Sequence, residues 1–239
     1  MKTLTLPLFT AGMISAMTIT SASAVTALID FGRADSSAAS PYNPAVMVFG
    51  ANGSTGAVAL NDTTTAPTGW TVTVTDVGSG NGGNAGGGAD VNSFPAGLSG
   101  FDSDALRNSI YSNQGGGANP SMVLTFDGLS SLNTYDLVLY GSRANAQGLD
   151  QRWSLTQGTG GADVDHNSEL NNSVFVDWTN ISPNGSGVIE VTINSPGPDS
   201  LGALALNFGS ITENAIPEAT GSSLLALGLG TLLIRRKRS

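Results

Sequence analysis

Cysteine is absent from this sequence of 239 residues, and histidine occurs once, at position 166. Without cysteine, the chain has no disulfide bond, no thiolate nucleophile and no metal site with cysteine ligands. Without a second histidine, no histidine pair can bind a metal. Charged residues are also scarce, at 11% of the sequence. A domain of this size without disulfides must be stabilised by its hydrophobic core.

Basic residues are few in the body of the chain. Between residues 25 and 216 the basic side chains are Arg33, Arg107, Arg143 and Arg152, and the formal net charge of the whole chain is −9. An acidic surface of this kind repels the phosphates of nucleic acids and anionic lipids. We therefore exclude nucleic acid as a partner, whereas a neutral polysaccharide or a divalent cation is compatible with this charge.

The N-terminal segment has the features of a secretory signal peptide. Lys2 supplies a positive charge, residues 4–17 are mostly apolar, and Ala22 and Ala24 form a small-residue cleavage site. The apolar stretch is shorter than the ~20 residues that span a bilayer. Residues 1–24 are thus predicted to direct export and to be removed. The alternative is that this stretch is a first hydrophobic strand of the folded domain.

The C-terminal segment, residues 212–239, has three parts. Pro217, Glu218 and Ala219 form a short motif, and an apolar run follows at residues 224–234. The chain then ends with a basic cluster made of Arg235, Arg236, Lys237 and Arg238. The apolar run is short for a stable transmembrane helix. The basic cluster predicts that this end stays on the cytoplasmic side of the membrane.

This order of motif, short hydrophobic helix and basic cluster resembles the PEP-CTERM sorting domain of Gram-negative bacteria. The resemblance implies that an exosortase, which is a membrane transpeptidase, cuts near Pro217 and Glu218 and removes the tail. Ala219 stands where the family usually has a second proline, and this leaves the cleavage position open. The alternative interpretation is an ordinary C-terminal membrane anchor.

Residues 25–211 show the two-residue alternation of β-strands. Glycine is abundant, with 32 residues in the chain, and polar turn clusters separate the apolar segments. Only residues 102–111 suggest a helix. Nine strands are predicted, at residues 25–31, 45–49, 70–77, 121–126, 135–140, 152–157, 174–178, 187–193 and 201–208. This count and spacing predict an all-β fold, a two-sheet antiparallel sandwich of the jelly-roll type.

Five segments of the body carry a second resemblance. They are residues 28–32 with the sequence Leu-Ile-Asp-Phe-Gly, and residues 124–129, 135–143, 187–191 and 201–206. Together they resemble the galactose-binding-like and malectin-like jelly rolls of bacterial extracellular proteins. The resemblance spans most of the body and implies a jelly-roll fold and a domain able to bind a glycan.

A short acidic stretch carries oxygen ligands at alternate positions, namely Asp163, Asp165, Asn167 and Glu169. Such alternation is typical of calcium loops. The EF-hand pattern is not met, because its sixth and twelfth positions require glycine and an acidic residue, and here they are Ser168 and Val174. A looser calcium site is one hypothesis, and a solvated acidic turn is the other. No further cofactor is expected.

The best local cluster for carbohydrate recognition consists of Arg143, Asp150, Arg152 and Trp153. A sugar is commonly held by an aromatic ring against its apolar face and by planar polar groups on its hydroxyls. Alternatively, the two arginines form salt bridges with surface carboxylates. The remaining large aromatics of the strands are expected in the core; they are Trp70, Tyr140 and Trp178.

His166 is the one candidate for histidine chemistry, and we expect it to be exposed in a polar loop. No G-x-S-x-G motif accompanies it. No local pattern identifies a pair of carboxylates for glycoside hydrolysis. We therefore expect no enzymatic activity.

Three hypotheses follow for the function. The first is a non-enzymatic structural or adhesive protein of the cell surface or extracellular matrix of a Gram-negative bacterium, sorted by an exosortase. The second is a lectin-like module that binds extracellular polysaccharide. The third is an enzyme that acts on polysaccharide. Before processing, the C-terminal helix would hold the chain in the membrane.

Overall fold

The computed structural model describes residues 24–32, 39–46, 54–77, 96–107, 109–113, 121–143, 150–169, 171–196 and 203–214. These residues belong to one unit, Ser23–Ile216. The predicted cleavage residue Ala22, the sorting motif at residues 217–219 and the basic cluster at residues 235–238 lie outside the described residues. The signal peptide and the sorting segment therefore stay predictions.

Most of the described residues lie in strands and very few lie in helices, as the two-residue alternation predicts. The strands are β1 Val25–Gly32, β2 Tyr42–Val46, β3 Val58–Asn61, β4 Pro67–Val77, β5 Ile110–Asn113, β6 Ser121–Asp127, β7 Thr134–Tyr140, β8 Asp150–Gln157, β9 Val164–Asn167, β10 Val176–Ile181, β11 Ile189–Asn194, β12 Ala203–Leu206 and β13 Phe208–Asn214. Helical structure within the same ranges is limited to a 3-10 helix at Ala96–Leu98 and an α-helix, α1, at Ser103–Arg107.

The strands form two main sheets. One has the order β10-β7-β13-β1-β2, the other has the order β3-β4-β6-β11-β8-β9, and β12 pairs with β5 alone. The predicted β-sandwich is confirmed. The prediction of purely antiparallel pairing is wrong at one edge, where β2 runs parallel to β1. Alternation in a sequence shows which face a residue occupies and not the direction of its strand, so this pairing was not visible beforehand.

The inward-facing residues of both sheets form one hydrophobic core. In β4, Val72 and Val74 are completely buried, whereas the threonines that alternate with them, Thr71, Thr73 and Thr75, are half-buried. Trp70 and Trp178 also belong to this core, as predicted. Burying one valine or leucine side chain contributes roughly 1.5–3 kcal/mol. A core of this size therefore stabilises the domain without disulfides.

The opposite face of the five-stranded sheet is covered by a second, smaller cluster. Its buried members are Leu98, Ala105, Leu106, Tyr140 and Phe208. The 3-10 helix and α1 thus pack their apolar residues against β7 and β13. The six-stranded sheet has no such helical cover among the described residues, and the outward side chains of its central strands are half-buried.

Several predicted element boundaries are wrong. The predicted strand at 201–208 is two strands, β12 and β13, and β13 continues past the predicted domain end at 211 to Asn214. The predicted helix at 102–111 shortens to α1 and is followed by β5. Three short strands were not predicted at all, namely β3, β5 and β9. They have four residues each, which is too short for a clear alternation.

Candidate functional site

The predicted ligand-binding and calcium-binding residues meet at one edge of the six-stranded sheet, where β8 pairs with β9. The register places Arg152 opposite Asp165 and Gln151 opposite His166. Neighbouring residues of a strand point to opposite faces. Residues that are adjacent in the sequence of β8 or β9 therefore lie on different sides of the sheet, one on the outer face and the next inside the sandwich.

Arg152 and Asp165 form an ion pair on the outer face. The guanidinium donates two hydrogen bonds, from Nε to Oδ1 at 2.7 Å and from Nη2 to Oδ2 at 2.6 Å. These hydrogen bonds hold the pKa of Asp165 below its usual range. Both side chains remain about half exposed, at 46% and 54%. The alternative interpretation of Arg152, a surface salt bridge, is confirmed.

Trp153 lies inside the sandwich and is 0% exposed. A completely buried indole offers no face to a sugar ring. The expectation that Trp153 forms a platform for carbohydrate is therefore wrong. Neighbouring residues of a strand point to opposite faces, so Trp153 points inward when Arg152 points outward.

The other two predicted ligand residues lie at the same sheet edge. Asp150 is exposed at the start of β8, opposite Asn167. Arg143 is half-buried, and its main-chain N–H donates to the Ser168 carbonyl at 2.9 Å. Its backbone also forms an isolated parallel β-bridge with that of Glu169. Asp150 and Arg152 therefore share the outer side of the edge, and Trp153 does not.

The four predicted calcium ligands lie in and beside β9, which is a strand and not a loop. Asp165 is engaged by Arg152, and the Asn167 side-chain oxygen accepts the main-chain N–H of Glu169 at 2.8 Å. Among the described residues, no group of three or more histidine, aspartate and glutamate side chains is placed to hold a metal ion. Calcium binding, including any role of Asp163, stays a prediction.

The outer face of the six-stranded sheet carries a regular set of hydroxyl groups. We call this set the hydroxyl face; its members are Thr71, Thr73, Thr75, Thr125, Ser154, Thr156 and Thr192. In the ladder, Thr73 lies opposite Thr125 and Thr192 lies opposite Ser154. Strand geometry spaces such groups about 4.8 Å apart across the sheet and about 7 Å apart along each strand.

Part of the hydroxyl face is held by its own hydrogen bonds. The Thr156 hydroxyl donates to the Glu190 carboxylate at 2.9 Å and lies 3.1 Å from the Thr192 hydroxyl. Gln157 donates to the second oxygen of the same carboxylate at 2.9 Å. Glu190 thus accepts hydrogen bonds from both neighbouring side chains of β8.

On the inner side of the same edge lies a polar group that we call the internal cluster, made of Gln151, Trp153 and His166. The Trp153 and His166 rings are stacked, with centroids 5.7 Å apart and planes inclined by 28°. Gln151 donates a long hydrogen bond of 3.3 Å to the Ala205 carbonyl. Gln151 is 0% exposed and His166 is 9% exposed.

Within the described structure, four atoms of the internal cluster have no hydrogen-bond partner. They are Trp153 Nε1, Gln151 Oε1, His166 Nδ1 and His166 Nε2. A buried polar group left without a partner costs about 1–3 kcal/mol. Four such atoms would together cost an amount comparable with the whole stability of a domain, about 5–15 kcal/mol.

Buried amides close by are satisfied, which makes the internal cluster unusual. Asn207 accepts the Ser142 N–H at 2.7 Å and donates to the Leu106 carbonyl at 3.0 Å. Asn171 donates to the Gly141 carbonyl at 3.0 Å and accepts two main-chain N–H groups. These two asparagines therefore contrast with Gln151, whose side-chain oxygen has no partner.

The structure corrects the expectation for His166, which lies in β9 and is buried. Burial lowers the pKa of His166 to about 4, although the Gly141 backbone and the carboxylates of Asp165 and Asp150 act in the opposite direction. Gly141 lies near the ring but makes no hydrogen bond of normal geometry with it. His166 is therefore neutral at pH 7, with one N–H donor and one acceptor nitrogen.

Sequence reasoning missed the hydroxyl face and the internal cluster. The signal in the sequence for this face is that the threonines of β4 occupy alternate positions. No comparable signal existed for the internal cluster, because it depends on the register between β8 and β9.

Among the described residues, no helix is long and apolar enough to cross a membrane. No protein-family model, no curated protein and no solved structure matches this chain.

Proposed function

We propose that this chain is an exported protein of the cell surface or extracellular matrix with a structural or adhesive, non-enzymatic role. The two terminal segments support export and exosortase sorting through their charge, length and motif. The resemblance of the body to galactose-binding-like and malectin-like jelly rolls belongs to the same proposal. The proposal concerns the location of the protein and its role there, and no single ligand is assigned.

The observation that carries the adhesive role is the hydroxyl face. It is the outer side of a six-stranded sheet, its side chains are partly exposed, and its central rows contain threonine and serine with few charges. Threonine presents a hydroxyl and a methyl group together, and a neutral polysaccharide presents hydroxyls and C–H groups. A polar surface of this kind can make many weak contacts with such a chain, and water can bridge them.

The alternative is that the hydroxyl face has no binding role and reflects only the preference of threonine for the solvent side of β-sheets. A binding experiment separates the two. The purified mature protein is sedimented with insoluble neutral polysaccharides, and the bound fraction is compared with that of a Thr125→Val, Thr192→Val double variant. We expect weaker sedimentation of the variant, because valine keeps the shape and removes the hydroxyl.

The matched control is Thr179→Val, since Thr179 is exposed on β10, in the other sheet. We expect this variant to sediment like the wild type. Equal binding by all three proteins, each shown to be folded by circular dichroism, would count against the hydroxyl face as the adhesive surface.

Localisation needs its own test. We expect the protein in the envelope or extracellular fraction, and mass spectrometry of its two ends should show a chain that begins near Val25 and ends near Pro217. Deletion of the exosortase should leave the basic tail attached. Recovery of the intact 239-residue chain from the cytosol would overturn the export proposal.

A lectin-like function is the second candidate, and it uses the same surface. Asp150 and the Arg152–Asp165 pair border the hydroxyl face at the edge of the sheet, so planar polar groups are available beside the hydroxyls. With Trp153 buried, such recognition would rest on hydrogen bonds and not on stacking. A glycan array in which one sugar is bound strongly and all others weakly would favour this candidate over general adhesion.

A further inference from the structure

The internal cluster needs a hydrogen-bonding partner that the described part of the chain does not supply. Trp153 Nε1 is a donor, Gln151 Oε1 is an acceptor, and the neutral His166 ring has one of each. Buried polar groups without protein partners are commonly satisfied by ordered water. The cluster thus offers two donors and two acceptors without partners.

The burial of the three side chains restricts what can bind to them. Gln151 and Trp153 are 0% exposed, and His166 is 9% exposed. A sugar ring cannot reach such groups from the surface, whereas buried polar groups of proteins commonly bind single water molecules. Water also both donates and accepts, as this mixed set requires, and it needs two to four polar partners when buried.

We propose that the internal cluster is a binding site for structural water, held between the Trp153 indole N–H, the Gln151 carbonyl oxygen and the His166 ring. Because the two nitrogens of an imidazole point away from each other, one water molecule bonds only one of them. The bound water joins β8 to β9 and thereby holds the edge strand of the sheet.

The experiment is NMR detection of water contacts at the indole N–H groups of the full protein. Trp153 and Trp178 make a matched pair, because the Trp178 N–H donates to the Ala162 carbonyl at 2.8 Å and needs no water. We expect a direct cross-relaxation signal between Trp153 Hε1 and a long-lived water, and none at Trp178. Absence of the Trp153 signal, or equal signals at both, would overturn the proposal.

Oxygen-17 relaxation dispersion provides a second readout, since it counts water molecules with long residence times. Trp153→Phe is expected to lose at least one long-lived water relative to wild type, and Trp178→Phe none. If Trp153→Phe does not fold, the comparison of the two indole N–H groups in the wild-type protein still tests the proposal. Native mass spectrometry that shows an organic molecule bound at one per chain would also overturn the assignment to water.

Discussion

The two faces of the β8–β9 edge differ in how their polar groups are satisfied. On the outer face, Arg152 and Asp165 pair by two short hydrogen bonds and stay in contact with solvent. On the inner face, Trp153 and His166 are buried, and their ring nitrogens lack protein partners. Solvent screens the exposed charges of this edge, whereas the buried groups lose their hydration on folding, so we expect the buried groups to affect stability more.

The largest expected effect is that of removing the Trp153 side chain. Trp153→Ala should lower the free energy of unfolding by about 3–5 kcal/mol, because truncating a buried aromatic leaves a cavity. Chemical denaturation monitored by circular dichroism measures this loss. The control is Ser154→Ala, one residue along β8 on the outer face, which should change stability by no more than about 0.5 kcal/mol.

Similar losses of stability for these two variants would contradict the difference between the inner and outer faces of this edge. The same outcome would also mean that β8 does not alternate between core and solvent as the structure has it.

The second effect is an acid sensitivity due to His166. Its pKa is about 4 in the folded protein, against 6.5 for an unperturbed histidine. Above pH 6.5 the ring is neutral in both states and has no effect on stability. As the pH falls from 6.5 to 4, the unfolded chain takes up a proton that the folded protein does not bind. Unfolding is therefore favoured, by about 3 kcal/mol at the lower limit.

The measurement is the free energy of unfolding as a function of pH for the wild type and for His166→Gln. The carboxylates are common to both proteins, so the difference between the two curves isolates the histidine. We expect this difference to grow between pH 6.5 and pH 4 and to level off below. A difference that stays constant with pH would show that His166 titrates alike in the folded and unfolded states.

The third effect concerns the packing around the internal cluster. A Cβ atom at Gly141 would overlap the Ala205 carbonyl oxygen and lie 3.1 Å from Trp153 Cζ2. Gly141→Ala should therefore destabilise the protein by about 1–3 kcal/mol. At Gly185 nothing lies within 4 Å of an added Cβ, so Gly185→Ala is the matched control, and its thermal midpoint should stay close to that of the wild type.

Alternation in the sequence was enough to predict the sandwich and most of its long strands. It was also enough to place Trp70 and Trp178 in the core, because both lie at inward positions of clear strand patterns. The same rule would have separated Arg152 from Trp153, since adjacent residues of a strand cannot share a face. Grouping them as one site followed their proximity in the sequence and ignored the strand that contains them.

His166 could not be placed in this way. It lies in a strand of four residues whose outward positions are Asp165 and Asn167, and such a polar stretch resembles a loop. What buries it is the pairing of β9 with β8, which is a contact between residues 11 to 17 positions apart. Pairing between distant segments depends on the whole sheet, and a single sequence does not contain it in readable form.

The smallest expected effect on stability is that of the outer ion pair. Arg152→Gln should leave the thermal midpoint nearly unchanged, because exposed pairs of this kind are screened by water and salt. Its effect should appear in the titration of Asp165, whose pKa is expected to rise toward the usual value of 3.8 once the two hydrogen bonds are lost. NMR titration of the Asp165 carboxyl carbon measures this.

Arg152→Lys refines the same experiment, since lysine keeps the charge and lacks the planar fork that binds both carboxylate oxygens. We expect an Asp165 pKa between those of the wild type and Arg152→Gln, because hydrogen bonding is the largest cause of the shift and charge a smaller one. If Arg152→Lys matched the wild type, the planar fork of the guanidinium would not be needed for the shift. The outer face would then be held by a looser ion pair than the structure has.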